Sequence, residues 1–238
     1  MRGDLSIQNC RGTFFRTTFQ KVYRIIALQF SNPRLDGIKG FVFYGEAGVG
    51  KTLMAKVLAH ELSVPLIFAD SSTIARSKYG ESEQQIVKVF RDAEKRPSVI
   101  LFDDAESLFP DRRAAKGETW NRDENNTIFH LLDTIDTSRC CVIMTTNILE
   151  LLDKALLDRL YPINFPAPDL DTVLTIARQK CNALNVKNYI QIEEEIRATP
   201  EEFKSVRAVE RLVTEQYIKE LSLTALEGGT RLGHPFFS

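Results

Sequence analysis

Along the chain, short runs of consecutive apolar residues alternate with longer stretches in which apolar residues recur every three or four positions. Phe41 to Tyr44, Leu66 to Ala69, Val99 to Phe102 and Cys141 to Thr145 are of the first kind. They are short and unbroken by polar residues, so they predict strands buried on both faces. Thr52 to Leu62, Glu83 to Lys95 and Asn125 to Ile135 are of the second kind and predict amphipathic helices. Strand and helix in alternation predict an α/β fold, a parallel sheet covered by helices on both faces.

The pattern changes at Phe165-Pro166-Ala167-Pro168. Beyond it Leu170 to Leu184, a short stretch near Glu193 to Ala198, and Val206 to Leu223 carry only the helical period, which predicts a small all-helical domain after a hinge. The expected organisation is an N-terminal segment and linker helix over 1–38, an α/β domain over 39–168, a helical lid over 169–225 and a tail over 226–238.

Charge and composition narrow the function classes. The chain has 31 basic and 32 acidic side chains, so its overall field offers no general attraction for nucleic acid or an anionic membrane. Residues 1 to 40 hold seven basic and two acidic side chains, the one feature that favours an anionic partner. The longest apolar run, Cys140 to Met144, is far short of the roughly 20 residues that cross a bilayer, so no membrane span is expected. The first residues lack the apolar stretch of a signal peptide, and the four cysteines have no CxxC spacing, which together imply a reduced, cytoplasmic setting. His60-Glu61 does not open a zinc-protease motif, because Val64 stands where the second histidine belongs.

The strand Phe41 to Tyr44 runs into GEAGVGKT, Gly45 to Thr52, and then into a helix. That context makes the segment a phosphate cradle for ATP and Mg²⁺. Gly45, Glu46, Ala47, Gly48, Val49 and Gly50 supply the loop whose backbone N–H groups close around phosphate oxygens, and Leu53 follows in the first turn of the helix. Lys51 is placed to reach the β- and γ-phosphates, and Thr52 to bind Mg²⁺ through its hydroxyl. A second signal is SVILFDD, Ser98 to Asp104, a buried strand ending in two carboxylates. Open α/β sheets bind ligands at such carboxyl ends, so Asp103 is expected to hold Mg²⁺ through water and Asp104 to act as the base that aligns the attacking water. Glu106 is the next carboxylate to test if Asp104 is not the base.

From about Lys39 to Leu223 the chain resembles the AAA+ ATPases, and within them the protein-remodelling AAA branch. TTN, Thr145 to Asn147, is similar to the sensor 1 motif, which implies that Asn147 orients the attacking water. LDKALLDRL, Leu152 to Leu160, is similar to the arginine-finger segment, so Arg159 would complete the nucleotide site of a neighbouring subunit. SKYGESE, Ser77 to Glu83, is similar to the pore loop, with Lys78, Tyr79 and Gly80 gripping a threaded polypeptide. SVRAVERL, Ser205 to Leu212, resembles sensor 2 and makes Arg207 a contact to the nucleotide of its own subunit. The resemblance implies a P-loop ATPase that assembles into a homo-oligomeric ring, a hexamer, and spends hydrolysis on a protein client. Asp104 stands where that family has glutamate, one methylene longer, which implies slow hydrolysis. Two other readings stay open: a nucleic-acid motor or loader, for the basic N-terminal segment, and an ATP-binding scaffold or switch with very slow turnover, for Asp104 and the lone finger arginine.

Overall fold

The computed structural model describes residues 12–35, 37–69, 74, 81–111 and 120–227. The chain divides into two compact units, Met1–Pro166 and Ala167–Ser238. The first unit opens with α1 (Thr13–Ser31) and continues through β1 (Gly40–Tyr44), α2 (Lys51–Glu61), β2 (Leu66–Ala69), α3 (Glu81–Ala93) and β3 (Ser98–Phe102). It closes with α4 (Trp120–Thr134), β4 (Cys140–Thr146), the single-turn helix α5 (Lys154–Leu157) and β5 (Tyr161–Asn164).

The five strands form one sheet in the order β2-β3-β4-β1-β5, and every neighbouring pair is parallel. Successive strand residues point to opposite faces, and each face has its own core. Val42, Ile100, Phe102, Val142 and Met144 pack with Ile86 and Phe90 of α3 and Ile128 and Leu132 of α4. Phe41, Phe43, Val99, Leu101, Cys141 and Ile143 pack on the other side with Val22 and Ile26 of α1 and Met54, Val57 and Leu58 of α2. Strands β3 and β4 are buried end to end and β1 nearly so for this reason, which is why they read as apolar runs. Leu66–Ala69, expected to be buried on both faces, is instead an edge strand with Phe68 49% exposed, because no strand among the described residues pairs on its outer side. The α/β fold expected from the alternating pattern is therefore the one observed.

The pattern did not disclose β5. Tyr161, Pro162 and Asn164 are exposed at the sheet edge, where proline's missing N–H costs no ladder bond, so the segment lacks the apolar signature of its neighbours. The helix α1, by contrast, follows a plain helical stripe of buried Phe19, Val22 and Ile26. Its buried Gln29 donates to the Ile38 carbonyl at 2.9 Å and accepts from the Ile38 amide at 3.2 Å, pinning the chain as it enters β1.

The second unit holds α6 (Leu170–Leu184), α7 (Tyr189–Ala198) and α8 (Val206–Glu227) around a core that includes Val173, Ala177, Ile192, Ile196, Val209 and Val213. Asp169 caps α6 by accepting from Thr172 N at 2.8 Å, and Asn185 ends it in the left-handed conformation at φ 55°. The Glu220 carboxylate accepts the amides of Lys187 and Asn188, both at 2.9 Å, and so ties α8 to the α6–α7 connection.

Candidate active site

Three adjacent strands, β3, β4 and β1, end at the same edge of the sheet, and the polar motifs begin there: Gly45 after Tyr44, Asp103 after Phe102, Asn147 after Thr146. In the loop after β1, Gly45 has φ 140°, and a Cβ there would lie 2.2 Å from the Phe165 carbonyl oxygen. Only glycine fits. Gly50, at φ 102°, turns the loop into α2, whose N-terminus has no side-chain cap and so directs its first amides toward the loop. Val49 is buried against the core and Glu46 and Ala47 are exposed, so this loop offers its backbone rather than a side-chain lining. Leu53 is 39% exposed on α2.

The Lys51 ammonium, almost fully buried, donates to Gly45 O at 2.7 Å, Glu46 O at 2.8 Å and Asn147 Oδ1 at 2.9 Å. One cation therefore joins the cradle to the end of β4. Beside it, Asp103 Oδ1 accepts from the Thr52 hydroxyl at 2.7 Å and from the Thr145 hydroxyl at 2.6 Å. Thr145 Oγ1 in turn accepts the Asp104 amide at 3.1 Å. Asp104 is exposed, sits in the left-handed region at φ 52° and ψ 52°, and starts the 3-10 turn Ala105–Ser107. Asp and Asn enter that region more readily than longer side chains, a local reason for aspartate at this position. Glu106 Oε1 accepts the Asn147 amide at 3.3 Å, and its Oε2 is buried with no hydrogen-bond partner.

Lys51, Thr52, Asp103 and Asn147 are thus brought together, with Asp104 adjoining. Arg159 makes its contacts elsewhere: Nε and Nη2 donate to the two oxygens of Asp133 on α4, each at 2.8 Å, and Nη1 donates to Ala155 O on α5 at 3.0 Å. This arginine holds the Asp133 carboxyl below the usual carboxylate range. Arg207 lies in the first turn of α8, in the second unit, and is exposed. Lys78, Tyr79 and Gly80 lie outside the described residues.

Thr145 stands in the TTN motif but had no role assigned from the sequence; its signal was a polar residue near the end of an otherwise apolar buried strand. Reading the motifs alone passed over Asn125, which is fully buried and donates through Nδ2 to Asp153 Oδ2 at 3.1 Å and to Pro110 O at 3.2 Å. Asp153 Oδ1 accepts from Ala155 N at 3.0 Å and caps α5, the turn that leads to Arg159. No local pattern announces that pair, since its members are 28 positions apart.

Among the described residues no group of three or more His, Cys, Asp or Glu side chains converges on a metal position. One hydroxyl and one carboxylate, Thr52 and Asp103, suit Mg²⁺, which keeps several waters and takes its other ligands from phosphate. Cys140 and Cys141 are free and buried, and burial pushes the Cys141 thiol up to about 12, so it is not a nucleophile.

Residues 41–166 match the model of the ATPase family associated with various cellular activities (AAA), and the chain belongs to that family. It is 34% identical over 148 residues to Protein SAV of Sulfolobus acidocaldarius, covering 58% of this chain and 18% of that protein. It is 30% identical to the 26S proteasome regulatory subunit 8 homolog of Schizosaccharomyces pombe, covering 73% of this chain and 47% of the relative. It is also 34% identical to the proteasome-activating nucleotidase of Pyrococcus abyssi, covering 71% and 46%. The chain spans less than half the length of each of these relatives. The nucleotide of the family is ATP with Mg²⁺, and the glycine cradle, Lys51, Thr52 and Asp103 fit it.

Proposed function

We propose that this protein hydrolyses Mg²⁺-ATP in a homo-oligomeric ring, a hexamer, and couples turnover to the remodelling of a protein client. The observation that carries the reading is the hydrogen-bonded cluster at the sheet's carboxyl edge, in which Lys51 meets Asn147 and Thr52 meets Asp103. Bound ATP supplies a phosphoryl group that water can accept. Lys51 exchanges its carbonyl partners for phosphate oxygens, Thr52 and Asp103 hold the metal, and Asn147 with Asp104 orients the attacking water. Hydrolysis is slow, because the Asp104 carboxylate is one methylene shorter than the glutamate it replaces. Arg159 acts on the site of the adjoining subunit, and Arg207 contacts the nucleotide from the helical unit, which acts as a lid. Lys78, Tyr79 and Gly80 grip the client.

The names of two relatives connect those proteins to the proteasome, which favours a polypeptide client. The cytoplasmic setting is supported by the free buried thiols and by the absence, among the described residues, of a helix long and apolar enough to cross a membrane. The test is ATPase rate per subunit against protein concentration, with and without an unfolded protein or single-stranded DNA. The expected result is a rate that rises with concentration and rises again with unfolded protein. A rate independent of concentration would overturn the shared site, stimulation by DNA alone would favour a nucleic-acid motor, and tight binding without turnover would favour a scaffold.

A further inference from the structure

The Arg159 guanidinium has five N–H donors, and three of them are committed within its own subunit. Nε and Nη2 form a two-pronged bridge to Asp133, and Nη1 donates to the carbonyl of Ala155 one helical turn back. The Phe129 ring lies 5.1 Å from the guanidinium carbon, so the cation is also held from one face. Two donors remain, one on Nη1 and one on Nη2, and a pair of that kind suits two oxygens of a phosphate. Asp133 and Phe129 are four residues apart on α4 and present the same arginine with a carboxylate and a ring. Asn125, earlier on that helix, is joined to the same segment, because it donates to Asp153, the cap of the turn that leads to Arg159. The helix α4 therefore holds the Arg159 segment at two places about two turns apart, Asn125 and Asp133.

We infer that Asp133 is a positioning residue: it holds Arg159 in one rotamer with its two outer N–H groups presented for the phosphate of a neighbouring subunit. The inference rests on the reading of Arg159 as a residue that acts in trans. An ordinary surface ion pair contributes little to stability, and Asp133 is half exposed, so its effect here is orientation rather than folding. An unrestrained arginine must lose its rotamer freedom when it engages the phosphate, which slows turnover by up to about 30-fold. Removing the Asp133 charge also leaves the cation less neutralised, and measured couplings of exposed ion pairs put that help at up to about fivefold. Orientation is the larger effect. Asp133→Asn is therefore expected to lower kcat by about 3- to 10-fold with ATP affinity unchanged.

The experiment measures ATPase kinetics and ATP affinity for the full chain and for Asp133→Asn, Asp133→Glu, Arg159→Ala and the double variant Asp133→Asn/Arg159→Ala. The Asn variant is expected to lose kcat at unchanged melting temperature, the Glu variant to recover at least half of it, and the double variant to match Arg159→Ala alone. Mixing Asp133→Asn subunits with Lys51→Ala subunits is expected to restore the lost rate per Asp133→Asn site, because the Lys51→Ala neighbour brings a correctly held arginine. Mixing with Arg159→Ala subunits is expected to restore nothing. If Arg159→Ala itself turns over like the parent, the trans reading of Arg159 fails, and this inference with it. If Arg159→Ala is inactive while Asp133→Asn keeps the parental kcat, the inference alone is overturned. A loss in Asp133→Asn that no Lys51→Ala partner repairs would equally overturn it, by showing a defect within the subunit's own site.

Discussion

Thr145 offers a sharp test of how the carboxyl edge is built. It is 1% exposed, its hydroxyl donates to Asp103 Oδ1 at 2.6 Å, and the same oxygen accepts the Asp104 amide at 3.1 Å. Thr145→Val keeps the shape and β-branching of the side chain and removes only this oxygen. A hydrogen bond to a charged acceptor contributes about 1.5 to 3 kcal/mol and a neutral one about 1 kcal/mol. The new methyl group returns about 0.8 kcal/mol by burial, and Asp103 and Asp104 are both open enough to recruit water in part. The net loss is about 1 to 2 kcal/mol, a fall in Tm of roughly 2 to 8 °C for a domain of this size. Asp103 also loses one of the two hydroxyls that aim it, so the affinity for Mg²⁺-ATP is expected to weaken more than that for ATP with the metal chelated. Thermal melts and calorimetric titrations of Thr145→Val and Thr145→Ser measure both effects. If the valine variant melts with the parent while the serine variant is destabilised, packing rather than the hydroxyl matters at this position, and the hydrogen-bond reasoning is wrong.

Lys51→Ala is expected to weaken ATP binding by at least about 100-fold in a calorimetric titration, since a cation with two phosphate partners is lost; retained affinity would remove the cradle reading. Asp104→Asn is expected to leave ATP affinity within about twofold and to slow hydrolysis by about 10² to 10⁴-fold, with the left-handed turn preserved because Asn tolerates it; parental turnover would move the test to Glu106. In the helical unit, the amides of Lys187 and Asn188 hold the Glu220 carboxyl below its ordinary value. A folded-state value below the unfolded one adds stability that is fully present above the usual glutamate range of about 4.3 and lost as pH falls through the folded value. Hydrogen-exchange protection of those two amides is expected to drop in that window, and less steeply in Glu220→Gln; an identical pH dependence in both proteins would refute this account.

Much of the molecule was legible because its determinants are local. Strands β1, β3 and β4 are apolar runs since each has a core on both faces, β2 kept the apolar run although it lies at the sheet edge with Phe68 exposed, and helices α1, α2 and α6 carry the stripe of the face they bury. The cradle was readable because its chemistry needs glycines, a lysine and a hydroxyl at consecutive positions. What the sequence alone left undetermined depends on residues far apart along the chain. Strand β5 owes its place to pairing with β1 rather than to any pattern of its own. Thr145 meets Asp103 across 42 positions, Lys51 meets Asn147 across 96, and Arg159 meets Asp133 across 26. The order β2-β3-β4-β1-β5 makes the first two of these meetings possible, by placing β3, β4 and β1 side by side with their carboxyl ends on one edge. The sequence determined which groups are present and the local shape that carries each of them. Which donor faces which acceptor was decided by the sheet order and by the packing of α4, because a hydrogen bond depends on distances of a few tenths of an ångström that no linear spacing encodes.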